Sequence, residues 1–189
     1  MSSGKLVLFS GPSGVGKDTL LEVLTKKRPA LQRSISLTTR QRRNGEKDGV
    51  DYFFVTPEHF QELLSAGDIL EFAQYGKNLY GTPKKPVDEW LREGKTVILK
   101  IEVQGAEKIK HIYPQALSVF ILPPSMEVLE RRLRDRGTED EEDLARRMRI
   151  ACDEIRKSEN YDYRIVNDSL ERAADEFLTI LDTTAIQLK

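Results

Sequence analysis

The sequence of 189 residues has one cysteine, Cys152, and two histidines, His59 and His111. A single cysteine excludes an intrachain disulfide, and so few scattered ligands argue against a zinc site. Apolar runs are short, and stretches such as 6–9 and 119–122 fall far below the roughly 20 residues that a membrane span needs. The first residues, MSSGK, lead directly into an apolar run and leave no room for a secretory signal. We therefore expect a cytoplasmic protein with no membrane partner.

An excess of charge of either sign is also missing, because 30 basic residues face 31 acidic residues. This balance argues against nucleic acid as a partner. Apolar residues make up 39% of the chain, which is enough to bury a core. Length and composition together predict one folded core that carries insertions, and they leave the oligomeric state open.

Strand-like and helix-like segments alternate along most of the chain, which is typical of an α/β fold. Residues 96–99 and 118–122 are almost continuously apolar, as in parallel strands that are buried on both faces. Residues 34–82 differ, since they combine short strands, turns and one small helix. We predict a core made of 1–33, 83–125 and 159–189, a mixed β/α insertion at 34–82, and a charged helical pair at 126–158.

The strongest motif is a glycine-rich loop between the first strand and the first helix. It consists of Gly11, Pro12, Ser13, Gly14, Val15, Gly16 and Lys17. Glycines let the backbone curl around phosphate oxygens, and its N–H groups then become donors to them. The positive end of the following helix and the lysine ammonium add charge. The spacing predicts a site for the phosphates of a nucleotide.

The residue after the lysine departs from this motif, which calls for serine or threonine there as a magnesium ligand. Here that residue is Asp18, and Thr19 follows it. Mg²⁺ accepts hard oxygen ligands, so either side chain is a candidate ligand. A carboxylate repels a polyanion, which favours Thr19 over Asp18.

The insertion contains a cluster of arginines beside a glycine turn: Arg40, Arg42 and Arg43. Tyr52 and Tyr80 supply phenol donors in the same segment. Guanidinium groups suit bidentate recognition of phosphate, so one hypothesis is a second phosphate site. A solvated loop with unrelated arginines remains the alternative.

Glu71 interrupts an otherwise apolar strand-like run at 69–73. A buried carboxylate needs a donor partner, and guanine offers two adjacent donors, N1–H and its exocyclic amine. Adenine presents an acceptor at N1 and leaves the carboxylate unpaired, so selectivity follows from repulsion as well as attraction. Hydroxyls of Ser36 and Thr82 are candidate donors to the guanine O6.

Taken together, these motifs resemble those of the guanylate kinase family over essentially the whole chain. The resemblance is carried in order by the loop 10–17 and by the segments SLTTRQRR (36–43), GE (45–46), GVDYFF (49–54), LE (70–71), NLYGT (78–82), EVQG (102–105), PPS (123–125), RGT (136–138) and VND (166–168). It implies a P-loop three-layer fold with a mostly parallel central sheet flanked by helices, an acceptor-binding insertion and a helical lid. It also implies Mg²⁺-dependent transfer of the γ-phosphate of ATP to GMP, with dGMP as a further expected acceptor.

The resemblance assigns roles residue by residue. It places GMP on Ser36, Arg40, Arg43, Tyr52, Glu71, Tyr80, Thr82 and Glu102. It places ATP on the loop 11–17, on Asp18 and Thr19, and beside Asn167 and Asp168. The catalytic cations that it implies are Lys17, Arg40 and Arg43, together with the lid arginines Arg132, Arg136 and Arg147.

One position departs from the family pattern, which has an acidic residue two places before Glu102. This chain has Lys100 there. Two other functions remain open at this stage. One is a related small-molecule kinase, such as a ribose 1,5-bisphosphate kinase. The other is a non-catalytic guanylate-kinase-like binding module.

Overall fold

A computed structural model describes residues 4–135 and 141–184. Its strands are β1 (Lys5–Ser10), β2 (Gln32–Ser34), β3 (Leu37–Thr38), β4 (Phe53–Phe54), β5 (Ile69–Tyr75), β6 (Asn78–Pro83), β7 (Thr96–Lys100), β8 (Leu117–Leu122) and β9 (Tyr163–Val166). Its helices are α1 (Lys17–Lys27), α2 (Pro57–Ser65), α3 (Lys84–Arg92), α4 (Val103–Ile112), α5 (Met126–Arg134), α6 (Glu141–Lys157) and α7 (Leu170–Thr183).

The larger sheet has five strands in the order β2-β7-β1-β8-β9. β7 runs parallel to β2, and β8 runs parallel to β9. Val97, Ile98 and Leu99 of β7 and Val119 and Phe120 of β8 are almost fully buried. Parallel strands that are covered on both faces need such continuous apolar sequence. The predicted α/β fold with a parallel central sheet flanked by helices is confirmed.

The smaller sheet has four strands in the order β4-β3-β6-β5. β5 and β6 form an antiparallel hairpin in which Tyr75 pairs with Asn78 across two turn residues. Gly76 in that turn has φ 60°, a conformation that glycine adopts without strain. Leu37, Phe60 and Ile69 form a small apolar core for this sheet. Helix α2 contributes Phe60, and the Thr56 hydroxyl caps that helix by accepting from the His59 N–H at 3.1 Å.

Helix α4 and strand β6 have weak sequence signals, and tertiary contacts stabilise both. Helix α4 contains Gly105 near its start, and Glu102 at its N-cap makes no side-chain cap hydrogen bond. Its apolar positions Val103, Ala106 and Ile109 recur at helical spacing and are buried. Strand β6 contains Gly81 and Pro83, which are poor strand formers, and pairing with β5 holds it in the sheet.

The described residues divide into two compact units. The first contains 4–8 and 31–116, and the second contains 9–30, 117–135 and 141–184. The division into core, insertion and lid remains a prediction. Among the residues that the structure describes, no helix combines the length and the apolar character needed to cross a membrane.

Candidate active site

The glycine-rich loop joins β1 to α1 in the second unit. Gly11 has φ 153°, and a Cβ atom there would lie 2.6 Å from the carbonyl oxygen of Ile121. Gly16 has φ 97° and ends the loop directly before α1, where a Cβ atom would lie 2.7 Å from Nδ2 of Asn167. Both positions exclude any side chain, because positive φ and a close neighbour combine. Glycine at these two positions therefore lets the loop pack against β8 and Asn167 directly before the first turn of α1.

Basic side chains gather on this loop. The Lys17 ammonium contacts the carbonyl oxygens of Gly11 and Pro12, the latter at 3.0 Å. The Arg132 guanidinium donates to the carbonyl oxygens of Val15 at 3.1 Å and Asn167 at 3.3 Å. The loop thus holds two fixed cations beside its backbone N–H groups, which is the arrangement that a polyphosphate requires.

Further contacts tie the loop to α6 and to the end of β9. Arg147 of α6 donates to the Ser13 hydroxyl at 3.3 Å. The buried Asn167 side chain donates to the Val15 carbonyl at 2.9 Å. The structure therefore brings Lys17, Arg132, Arg147 and Asn167 together at the loop, although they are up to 150 residues apart in sequence.

Two other residues that the sequence analysis expected at this site, Asp168 and Arg136, make no described contact with the loop. Asp168 is exposed and forms an ion pair with Arg172 of α7. The hydrogen bond from Arg172 lowers the pKa of Asp168. Arg136, the third expected lid arginine, lies outside the described residues.

The two candidate magnesium ligands, Asp18 and Thr19, are both exposed in the first turn of α1. Both offer hard oxygen atoms beside the loop. Within 4–135 and 141–184, no group of three His, Cys, Asp or Glu side chains is arranged to hold a metal ion. Mg²⁺ in nucleotide sites commonly takes one protein oxygen and fills its shell with phosphate oxygens and water. The donor set fits that mode of binding.

In the first unit, Glu71 of β5 pairs with Thr82 of β6. The Thr82 hydroxyl donates to Oε1 of Glu71 at 2.9 Å. Oε2 of Glu71 is buried and accepts no hydrogen bond in the described structure. A buried oxygen without a donor is costly, and a ligand with N–H groups relieves that cost.

Helix α4 provides the space for this carboxylate. A Cβ atom on Gly105 would lie 2.7 Å from Oε2 of Glu71, so any larger residue would press on the carboxylate. Burial raises the pKa of Glu71, and the nearby Glu102 adds to the rise, while the hydrogen bond from Thr82 and the charge of Lys108 act in the opposite direction. The site thus holds a desolvated acid that becomes a strong acceptor when it is ionised.

A second group in the same unit is built around Arg40. Its guanidinium lies 5.5 Å from the centre of the Tyr52 ring, and the rings of Tyr52 and Tyr80 are 6.0 Å apart. Nη2 of Arg40 donates to Oε1 of Glu46 at 2.7 Å. The other carboxylate oxygen of Glu46 accepts from the backbone N–H of Arg43 at 2.8 Å. The hydrogen bond from Arg40 is the main cause of a lowered pKa at Glu46.

These two groups share one face of β6. Thr82 contacts Glu71, Tyr80 contacts the Arg40 and Tyr52 group, and Gly81 between them points to Phe60 and Ile69 in the apolar core. Side chains two residues apart on a strand point to the same side, about 6.6 Å apart along it. A carboxylate acceptor and a cation–phenol group are therefore neighbours on one surface.

The remaining candidate residues of the first unit lie around these two groups. Ser36 is half-buried and accepts from the Phe53 N–H at 2.9 Å through its carbonyl oxygen. The Arg43 side chain and Glu102 are exposed, with Glu102 at the N-cap of α4. Lys100 lies at the end of β7 with its ammonium 5.3 Å from the centre of the Tyr52 ring.

Two contributors had no assigned role in the sequence analysis. Glu46 fixes Arg40 in place, and Gly105 makes room for the Glu71 carboxylate. Each had a partial signal, since both belong to segments that carried the family resemblance. Neither contact is visible without the fold, because Gly105 and Glu71 come from different elements 34 residues apart.

Comparisons with known proteins identify the family of this chain. The model of the guanylate kinase family matches residues 3–184. The chain is 48% identical to the guanylate kinase of Carboxydothermus hydrogenoformans over 189 residues, which cover 100% of this chain and 92% of that protein. It is 47% identical to the guanylate kinase of Synechocystis over 178 residues, which cover 94% and 93% of the two chains.

The fold has a solved counterpart as well. The crystal structure of guanylate kinase from Anaplasma phagocytophilum superimposes with a TM-score of 0.80 at 38% sequence identity and covers 99% of this chain and 91% of that one. The resemblance found in the sequence motifs is confirmed by these matches. The chain belongs to the guanylate kinase family.

Proposed function

We propose that this protein transfers the γ-phosphate of ATP to GMP and produces ADP and GDP. The observation that carries the proposal is the pairing of two groups on one face of β6. There, Glu71 has a buried oxygen without a donor, and Arg40 lies with Tyr52 and Tyr80 about two residues away along the strand. The first group suits a base with adjacent N–H donors, and the second suits a phosphate.

The phosphates of ATP bind the loop of the second unit. Its backbone N–H groups and the Lys17 ammonium hold the outer phosphates, and Arg132 and Arg147 stand ready to neutralise charge on the transferred group. Asn167 and Asp168 border the adenine. Thr19 or Asp18 would hold Mg²⁺, which would supply positive charge to neutralise the phosphate oxygens.

The acceptor phosphate binds Arg40, Arg43 and the two phenols. At neutral pH this phosphate is already ionised, so its oxygen attacks without a general base. The transition state spreads charge over the oxygens of the transferred group, and the protein accelerates the reaction by positioning and by electrostatic stabilisation. Cationic side chains around both phosphates meet that need.

Glu71 selects the base. Guanine donates N1–H and an amine hydrogen to the two carboxylate oxygens, and Oε1 retains a lone pair beside the Thr82 hydrogen bond. Ser36 and the exposed Glu102 complete the acceptor site in this proposal. Adenine faces the carboxylate with an acceptor at N1, and the oxygen without a donor then stays unpaired.

The two other functions receive no support from this geometry. A ribose bisphosphate has no base for Glu71 to recognise. A binding module has no use for a phosphate loop with fixed cations. The cytoplasmic location expected from the sequence stays a prediction.

A coupled assay of ADP formation tests the proposal with GMP, AMP and ribose 1,5-bisphosphate as acceptors. We expect kcat/KM for GMP to exceed that for either alternative by at least about 10³, since a site built to accept hydrogen bonds rejects a ligand that lacks the donors. A protein that is inactive with GMP but active with the ribose ester would disprove the assignment. Binding of ATP with no acceptor activity would favour the binding module.

Glu46→Ala is expected to raise KM for GMP about tenfold with little change in KM for ATP. The substitution removes two charge-assisted hydrogen bonds of about 1.5–3 kcal/mol each, which orient Arg40 and close the turn at 40–46. It also relieves a repulsion between carboxylate and phosphate of only about 1 kcal/mol, so loss of orientation dominates. Steady-state kinetics with both substrates measure the result.

The stability of the same variant provides a second measurement. The lowered pKa of Glu46 stabilises the folded protein above the unfolded pKa of a glutamate, and this contribution is lost as pH falls through the folded value. The loss of stability in Glu46→Ala should therefore be larger at pH 7 than at pH 3. An unchanged or lower KM for GMP would show that Glu46 does not orient Arg40. Glu62→Ala, on the exposed surface of α2, is the control.

A further inference from the structure

The peptide bond between Val15 and Gly16 is held by two side chains from distant elements. Nδ2 of Asn167 donates to the Val15 carbonyl oxygen at 2.9 Å, and Nη1 of Arg132 donates to the same oxygen at 3.1 Å. Nη2 of Arg132 also donates to the Asn167 carbonyl oxygen at 3.3 Å. Helix α5, the residue after β9 and the loop are thus joined at one point, and all three belong to the second unit.

The sheet fixes the place of Asn167. Its backbone N–H donates to the Leu122 carbonyl oxygen at 2.8 Å, which continues the pairing of β9 with β8 by one residue. Asn167 is only 3% exposed, and a Cβ atom on Gly16 would lie 2.7 Å from its Nδ2. A buried amide donor needs an acceptor. The Asn167 side chain therefore cannot leave the Val15 carbonyl without a cost in free energy.

The contact decides which way the next N–H group points. In a planar trans peptide the C=O and N–H bonds point in opposite directions, and the residues that the structure describes contain no cis peptide bond. The Val15 carbonyl is turned toward Asn167 and Arg132. The Gly16 N–H therefore points to the other side of the loop, away from these two side chains.

The backbone of the loop does not fix this orientation by itself. Gly16 has φ 97°, and glycine populates positive and negative φ about equally. Rotation of the peptide before Gly16 changes the sign of that φ and exchanges the places of the carbonyl oxygen and the N–H. A carbonyl oxygen would then face the phosphates in place of a donor, and its negative partial charge would repel them. The two donors on the Val15 carbonyl oppose this rotation.

We propose that Asn167 is a positioning residue for the phosphates of ATP, and that its side chain holds the Val15 carbonyl so that the Gly16 N–H faces the nucleotide. The proposal rests on the proposed function, because it concerns the ATP site of that reaction. It gives Asn167 a role at the phosphate end of ATP, in addition to the place beside the adenine that the family resemblance implies.

Asn167→Leu tests the contact, because leucine keeps the branched shape of asparagine and has no donor. Inorganic tripolyphosphate is the probe, since it has phosphates but no base, and amide-detected NMR measures its binding. We expect its dissociation constant to rise about tenfold, which corresponds to about 1.4 kcal/mol. On saturation the Gly16 amide proton should shift less than in the wild-type protein, because its hydrogen bond to the anion is weakened. KM for GMP should not change.

Asn160→Leu is the matched control. Asn160 ends the short helical turn that follows α6, and it is exposed. This variant should bind tripolyphosphate like the wild-type protein. Melting temperatures of all variants identify any folding defect, and Asn167→Ala provides the same comparison should the leucine variant not fold.

Three results would overturn the proposal. One is an unchanged dissociation constant of tripolyphosphate in the Asn167 variants. Another is a Gly16 amide proton that does not respond to tripolyphosphate in the wild-type protein. The third is a loss confined to the binding of adenosine, which would leave Asn167 at the base alone. Failure of the proposed function is distinguishable from all three, because the coupled assay measures transfer to GMP and tripolyphosphate binding needs no acceptor.

Discussion

Glu71→Gln is expected to reduce the selectivity for GMP over AMP by at least about 100-fold and to stabilise the unliganded protein. The amide keeps the size of the carboxylate, and its carbonyl oxygen still accepts from the Thr82 hydroxyl. Its NH₂ group replaces Oε2, the buried oxygen without a donor. A donor then faces the N1–H of guanine, whereas the N1 acceptor of adenine gains a partner. Loss of a matched hydrogen-bonding pair costs factors of 10² or more.

The same substitution should stabilise the unliganded protein, because it removes an ionisable group from a buried position. Burial raises the pKa of Glu71, so the folded protein holds this proton more tightly than the unfolded chain does. The favourable contribution is present below the unfolded pKa of a glutamate and is lost as pH rises through the folded value. At neutral pH the ionised group therefore opposes folding, and a neutral amide costs less to bury. We expect the variant to gain about 2–4 °C in melting temperature, the shift that 1 kcal/mol produces in a chain of this size.

Kinetics with GMP and AMP and thermal melts from pH 4 to pH 8 measure both effects. The gain in stability should grow with pH, because only the wild-type residue ionises. Glu62→Gln, an exposed glutamate of α2, should change neither quantity. Unchanged selectivity would remove Glu71 from the base site, and a stability difference that shrinks with rising pH would contradict the raised pKa.

The parts of the site that sequence alone predicted are those whose signal is local. The loop 11–17 contains its glycines and its lysine within seven residues, and the flanking strand and helix follow directly. Glu71 was visible because an acidic residue in an apolar run requires an explanation. Asp18 and Thr19 illustrate the limit of such signals, since both are exposed in the same helical turn and the sequence does not separate them.

The parts that sequence did not predict depend on contacts between distant elements. Gly105 was visible only as part of a motif, and its role appears when α4 packs near β5 and leaves 2.7 Å between the hypothetical Cβ and Oε2 of Glu71. Thr82 was expected to donate to a base, whereas its hydroxyl donates to Glu71 in the structure. Arg132 and Arg147 sit in helices dense with both charges, a pattern that usually marks a solvated surface. Only the fold distinguishes them from neighbours such as Arg134, which pairs with Glu130.

Lys17→Met is expected to reduce kcat by about 10²–10³ and to abolish most of the thermal stabilisation by Mg·ATP. Loss of one fixed donor to charge that develops in the transition state has this size in other enzymes. The Lys17 ammonium is held at the loop by the carbonyl oxygens of Gly11 and Pro12, so its charge is placed before the nucleotide arrives. Preorganisation of this kind makes a point charge effective, because the reaction then includes no cost of moving it.

The size of the thermal stabilisation by Mg·ATP follows from the ratio of ligand concentration to dissociation constant. A ligand at 100 times its dissociation constant stabilises a protein by about 2.7 kcal/mol, which in a chain of this size raises the melting temperature by about 5–10 °C. Wild-type protein with saturating Mg·ATP should show this shift, and Lys17→Met should show little of it. Lys26→Met, an exposed lysine in the same helix, should retain the shift and the activity. Retention of full stabilisation and turnover by Lys17→Met would contradict the assignment of the glycine-rich loop to ATP, because no other residue in the loop carries a positive side chain.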